Sequence, residues 1–293
     1  VNMNKKGTRY IMEKLIKKNK DKGLIITVGN YKGGAGKTSN STLIGYTLAK
    51  QGIKVLVVDL DPQTNATKAL LLTKSALEKD NIMTINKTIM SGVANGSLVD
   101  LPVNIMPNYD LLPSYPDFGD FPKYVYKHAN NETEEVSILK PLLDELRPNY
   151  DLIILDIPPM SREVTANATV ASDYTLISFQ TQERSLTGAE NYINDLLIYK
   201  DKFNLNIDVV GILPVLQNKK GTVDNAMLNM AKESFGEDLV FKSVIPHMER
   251  IKRFDITGIT DKDRFDRKVM QTYEIATNEF IEKINTLEDA KNE

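Results

Sequence analysis

Residues 24–38 read LIITVGNYKGGAGKT, and the rest of the chain is organised around them. Leu24-Ile25-Ile26-Thr27-Val28 is an apolar, β-branched run of the kind that forms a buried parallel strand. Gly33, Gly34, Ala35 and Gly36 follow, then Lys37, Thr38 and Ser39, and then a helical pattern through Leu43, Ile44, Tyr46, Leu48 and Ala49. Strand, glycine loop and helix in that order is the setting of a phosphate-binding loop. Glycines let successive backbone N–H groups turn onto one anion, and the helix N-terminus adds partial positive charge. In such a loop Lys37 meets the β/γ-phosphates and the Thr38 hydroxyl meets Mg2+.

The match to G-x-x-x-x-G-K-[ST] is incomplete. Tyr31 stands at the first glycine, and a second lysine, Lys32, opens the loop. This KGGAGKT form resembles the deviant Walker A motif of the ParA/MinD ATPases. The resemblance implies ATP as ligand, and a Lys32 that reaches the phosphates of the partner subunit in a sandwich homodimer. Asp59-Leu60-Asp61-Pro62-Gln63-Thr64-Asn65-Ala66-Thr67 resembles the switch I motif of the same family. By that resemblance Asp61 positions the attacking water, and Asp59 supports magnesium and its waters. Asp156, at the end of Asp151-Leu152-Ile153-Ile154-Leu155 and before Ile157-Pro158-Pro159, fits a Walker B aspartate that meets magnesium through water. Gln180-Thr181-Gln182-Glu183 matches a dimer-facing turn.

Apolar runs at 55–61, 174–179, 207–213 and 239–245 alternate with helical patterns at 190–199, 224–235 and 269–284. Such alternation predicts an α/β fold: a mostly parallel twisted sheet with helices on both faces. Residues 76–150, with Pro102, Pro107, Pro113, Pro116 and Pro122, read as a sheet edge with short helices and long loops. The aromatic stretch 115–121 reads as local core or dimer surface. The domain plan is a basic extension over 1–22, with a short amphipathic helix at 8–18, and one ATPase domain over 23–293. The adenine is expected against loops after the later strands, around Pro214-Val215 and Pro246-His247-Met248.

The chain has 293 residues and a net charge of −2, but residues 1–22 carry +6 and the remainder therefore −8. Nucleic-acid binding would have to come from patches rather than from the global field. Lys219, Lys220, Lys242, Arg250, Lys252 and Arg253 match the surface with which the family binds double-stranded DNA without sequence preference. Any one of them fits a solvated face equally well; as a group they favour DNA. There is no cysteine, which excludes disulfides, thiolate metal sites and iron–sulfur clusters. With no apolar run of membrane-spanning length and no signal-peptide pattern, a cytoplasmic, nucleoid-associated protein is expected.

The function this implies is that of a short ParA-type partition ATPase, similar to the δ-type proteins of Gram-positive plasmids. Its partner would be a centromere-binding ParB-type protein of the small ribbon-helix-helix kind. Two other readings share the ATP site. A MinD-like membrane switch needs a basic amphipathic C-terminus, whereas residues 271–293 hold six acids against Lys283 and Lys291. A small-molecule kinase would give Lys32 no role in trans.

Overall fold

The computed structural model describes residues 22–78, 87–218 and 221–291. Leu24–Gly29 forms β1, and the glycine loop leads into α1 (Lys37–Lys50) and then β2 (Val55–Asp59). After α2 (Asn65–Leu77) and α3 (Ile89–Asn95) come the edge strands β3 (Val103–Met106) and β4 (Tyr109–Leu112). Three short helices follow, α4 (Phe121–His128), α5 (Glu132–Ser137) and α6 (Leu139–Asp144). The regular alternation then runs β5 (Leu152–Asp156), α7 (Arg162–Ala171), β6 (Tyr174–Gln180), α8 (Glu183–Phe203), β7 (Asp208–Gln217) and α9 (Thr222–Phe235). The chain closes with β8 (Ile245–Pro246), α10 (Glu249–Thr257) and α11 (Arg264–Ala290).

The eight strands lie in the order β3-β4-β2-β5-β1-β6-β7-β8, and only β3 runs antiparallel, against β4. Successive strand residues point to opposite faces, and both faces are buried. Ile26, Val28, Val55, Val57 and Ile154 pack under α1, α2, α10 and α11. Ile25, Leu56, Val58, Ile153 and Leu155 pack under α7, α8 and α9. Central strands covered twice must be apolar throughout, which is why they read as unbroken hydrophobic runs. The chain leaves β1 toward β2 and leaves β6 toward β7, so connections diverge between these adjacent strands. That divergence opens a crevice at the carboxyl edge.

The mostly parallel sheet, its two helical layers and the edge character of 76–150 agree with the sequence reading. Phe118 and Phe121 are stacked in the core, while Tyr115 is exposed. The run at 239–245 is shorter as a strand than expected. Val240 makes an isolated bridge to Ile212, and only Ile245–Pro246 pairs with β7. Between them the Glu279 carboxylate accepts the Lys242 and Ser243 N–H groups, both at 2.7 Å, and takes the place of a ladder. The helix expected over 8–18, Lys219 and Lys220 lie outside the described residues.

At the opposite, amino edge the starts of three strands are tied by Arg147, whose side chain is 4% exposed. Its guanidinium donates to Asp144 and Asp173, each at 2.6 Å, and to the carbonyls of Gly23 and Ala171. Asp173 in turn accepts the Ile25 N–H at 2.7 Å. Arg147→Met keeps the volume but takes this donor from the buried Gly23 and Ala171 carbonyls and the cation from the half-buried Asp144 and Asp173. It is expected to lower unfolding free energy by about 2–4 kcal/mol in a urea titration. A loss below about 1 kcal/mol would mean the tie contributes little.

Candidate nucleotide-binding site

The loop after β1 is shaped by two glycines in the left-handed region, Gly34 at φ 75° and Gly36 at φ 85°. A Cβ on Gly36 would sit 3.1 Å from Val215 and 3.4 Å from the Ser178 hydroxyl, so the loop lies hard against β6 and β7. Lys37 opens α1 almost fully buried, and its ammonium donates to the Asn30 carbonyl at 2.9 Å and the Lys32 carbonyl at 3.3 Å. Burial pulls its pKa down, while Asp156 and Asp61 oppose that shift. Asn30, itself fully buried, anchors the front of the loop. It accepts the Lys32 N–H at 2.8 Å and donates to the Ser178 and Ser185 carbonyls. Tyr31, in place of the usual glycine, donates to Asp195 on α8 at 2.5 Å and packs edge-on to Tyr192. The Lys32 ammonium turns back to the Gly33 carbonyl at 2.6 Å.

The register of β2 against β5 sets Asp59 directly beside Asp156, both fully buried. Asp59 accepts the Asp61 N–H at 3.0 Å, the Thr67 N–H at 2.8 Å and the Thr67 hydroxyl at 2.7 Å. Of the roughly four lone-pair positions on a carboxylate, three are thus committed to holding the turn that carries Asp61. Asp156 accepts the Ser41 hydroxyl at 3.0 Å through Oδ1, and the Thr38 hydroxyl is also within reach. Its Oδ2 is buried without a protein partner. Burial, and then the charge of Asp59, push the Asp156 pKa up to about 7; burial pushes Asp59 up to about 6.

An unsatisfied buried oxygen beside a second carboxylate and a threonine hydroxyl fits a hard divalent cation such as Mg2+. Among the described residues no three acidic or histidine side chains converge on one point. That is no cage, but Mg2+ is commonly held by one or two carboxylates together with phosphates and water.

A cleft of about 460 Å³ opens above these groups. Residues 33–40 form its floor, Asp61, Gln63 and Asn65 one wall, and Val215, Ile245, Met248, Ile251 and Tyr273 an apolar wall. Of the residues expected around adenine, Val215 and Met248 are on that wall and the two prolines and His247 are not. Alternation along β7 and β8 explains the difference: with Val215 and Ile245 facing the cleft, Pro214 and Pro246 face away. His247 borders a neighbouring groove with Arg253, Phe265 and Lys268.

A family model described as an AAA domain matches residues 23–209. The sporulation initiation inhibitor protein Soj of Bacillus subtilis (strain 168) is 30% identical over 230 residues, covering 78% of this chain and 86% of Soj. The chain belongs to the ParA/MinD family of P-loop ATPases. Its fold is shared by Cyanthece apo McdA, with TM-score 0.74, 18% identity, and 89% and 99% of the two chains covered. It is also shared by a plasmid partition protein of Borrelia burgdorferi B31 bound to AMPPNP, with TM-score 0.68, 22% identity, and 87% and 98% covered.

The basic residues singled out for DNA are not equivalent in this family member. Arg250 is pinned by Asp263 at 2.6 Å and Asp266 at 3.3 Å, with 14% of its side chain exposed, so it joins α10 to α11 and offers no free charge. Lys252 pairs with Glu249 at 3.0 Å and borders the nucleotide cleft. Lys242 sits among Glu237, Asp238, Glu279 and Glu282. Arg253 is exposed, and Arg264, Arg267 and Lys268 on α11 are exposed as well. The sequence assigns no role to Asn30, Ser41 and Thr67, which make the buried contacts of the site; Asn30 and Thr67 lie inside the two motifs and Ser41 just after the first.

Among the described residues four non-glycine positions have positive φ, and two of them lie in the turns after Asp61 and Asp156, Thr64 at 60° and Met160 at 56°. A β-branched residue in that region is strained, and such strain gathers at functional turns.

The folded chain holds the Asp156 proton more tightly than the unfolded chain. This contribution to stability is complete below about pH 4 and lost as pH rises toward 7. Asp156→Asn removes the titration. In metal-free protein the variant should match wild type near pH 4 and exceed it by about 1–3 kcal/mol at pH 8 in chemical denaturation. An advantage that shrinks with rising pH would contradict the raised Asp156 pKa.

Proposed function

We propose that this chain is a ParA-type partition ATPase. It binds ATP with Mg2+ in the cleft, closes as a homodimer, and in that state holds duplex DNA without sequence preference. A centromere-binding ParB-type partner, of the small ribbon-helix-helix kind, then stimulates hydrolysis and release, so the protein works in the cytoplasm on the nucleoid. The observation that carries this reading is the buried Lys37 at the end of the glycine loop, near the one open oxygen of Asp156. The likeness to Soj, and the partition role named for the Borrelia relative, support the partition setting. Among the described residues no helix is long and apolar enough to cross a membrane.

In the proposed reaction water attacks the γ-phosphorus in line, and the bond from that phosphorus to the bridging oxygen of ADP breaks. Little covalent help is needed from protein; positioning and charge compensation dominate. Asp61, 7% exposed on the cleft wall, is placed to orient the water. Lys37 offsets charge on the β/γ oxygens. When bound, Mg2+ would offset further phosphate charge, with Thr38 and Asp156 as its protein contacts and the charge of Asp59 behind them. Lys32 from a second copy would act on the transferring group, a role in which cationic fingers contribute roughly 10³–10⁵ in rate.

Turnover measured with and without duplex DNA and candidate partner proteins tests the reading. Asp61→Ala should bind ATP and stay on DNA yet lose about 100-fold or more in turnover. Wild-type turnover in that variant would remove Asp61 from the mechanism.

Nonspecific binding should be electrostatic, with each phosphate contacted adding roughly −0.9 to the slope of log affinity against log salt. Dimer closure joins two patches, so the slope should be steeper in ATP than in ADP and alike on unrelated duplexes. Arg253→Glu and Lys268→Glu should weaken binding to every duplex while leaving ATP affinity intact, and Arg250→Gln should act mainly through stability. Equal slopes in both nucleotides would sink the joined-patch model.

A further inference from the structure

Four buried groups connect the last helix to the glycine loop. The Tyr273 hydroxyl donates to Asn40 Oδ1 at 2.9 Å. The Asn40 amide donates to Ser178 Oγ at 2.9 Å, and the Ser178 hydroxyl donates to the Ala35 carbonyl at 2.5 Å. Tyr273 and Ala35 are 1% exposed, and Asn40 and Ser178 not at all. Every donor in the series points the same way, from α11 through α1 and β6 to the loop. Burial raises the Tyr273 pKa well above its ordinary value, so the phenol remains a donor.

The endpoint is what gives the series a consequence. The Ala35 carbonyl belongs to the peptide that joins Ala35 to Gly36, and in a planar trans peptide C=O and N–H point in opposite directions. Gly36, on one side of this peptide, has positive φ, where glycine admits more than one peptide orientation at little cost. With its carbonyl held toward Ser178 and the sheet, this peptide must present the Gly36 N–H to the opposite side, toward the cleft. Loss of the hold would free the peptide to rotate and to put a carbonyl oxygen where an anion is to bind. The ring of Tyr273 meanwhile forms part of the cleft wall.

We infer that Tyr273 is a positioning residue for nucleotide binding, which through Asn40 and Ser178 fixes the Ala35–Gly36 peptide with its N–H toward the phosphates. This rests on the ATP-site reading above. The Tyr273 hydroxyl reaches the Ala35 carbonyl through two other side chains, and Tyr273→Phe keeps the ring, so the effect of that change should be the effect of the series and not of bulk.

The test is a double-mutant cycle on ADP affinity in the presence of Mg2+, by calorimetry, with Tyr273→Phe, Ser178→Ala and the double variant. Each single change breaks the same series, so each should weaken ADP binding by about tenfold. The double variant should be weaker by about the same tenfold rather than by about a hundredfold. The Gly36 amide resonance should move in Tyr273→Phe, although residue 273 lies in the last helix. Ser178→Ala alone, read by affinity and by the same resonance, carries the test should Tyr273→Phe not fold. Affinities within twofold of wild type, or additive losses in the double variant, overturn the series as a positioning device. Wild-type protein that fails to bind ADP overturns the nucleotide reading itself, and this inference with it.

Discussion

The register that lays Asp59 beside Asp156 is the constraint on which the site depends. Two carboxylates fully buried at neighbouring strand ends repel one another, and each loses its hydration, a penalty of several kcal/mol per ion in a protein interior. The fold answers them differently. Asp59 is surrounded by donors from the first turn of α2 and becomes a fixed point of the switch I turn. Asp156 receives the Ser41 hydroxyl through Oδ1 and keeps Oδ2 open, with Thr38 in the first turn of α1 close by. Lys37 is one positive charge near two carboxylates, and Mg2+ brings more, so an arrangement unfavourable for the apo fold is suited to a metal–nucleotide ligand.

Lys37 is held by the same logic of buried charge. Its ammonium cannot stay unsatisfied, and the loop carbonyls of Asn30 and Lys32 take two of its protons. Those carbonyls are in place because Asn30 is locked against β6 and the start of α8. The front of the loop therefore rests on the element that carries the Gln180–Glu183 turn, and its back rests on Ser178 and, beyond it, on α11. Loop conformation is in this way tied to both halves of the sheet, which diverge at β1 and β6.

Arg250 shows how a basic count can mislead. In the sequence it stands in a run of cations after a Pro-His turn, and it reads as one more surface charge. In the fold it lies between Asp263, which caps α11, and the buried Asp266, with Phe265 against its guanidinium. A desolvated arginine held by two carboxylates is a joint between helices. The exposed cations nearby include Arg253, Lys262 and those on the first turns of α11, while the exposed Lys252 pairs with Glu249.

Much of the fold was legible because the chemistry is local. A phosphate loop needs glycines, a lysine and a hydroxyl within a few residues, and a doubly covered strand needs an unbroken apolar run; such patterns survive in one dimension. Asp61 and Asp156 were legible for the same reason, each marked by the turn residues after its strand. The rest is contact at long separation. Tyr273 meets Asn40 across 233 residues, and Ser178 meets Ala35 across 143. Tyrosine, asparagine and serine at those places have no pattern of their own, because what selects them is the distance and direction of a partner on another element. The sequence by itself determined the class of fold and the ligand at its centre. Only the tertiary structure decided which carboxylate oxygen stays open, which cations remain free, and which apolar side chains wall the cleft, since each is settled by packing between elements far apart in the chain.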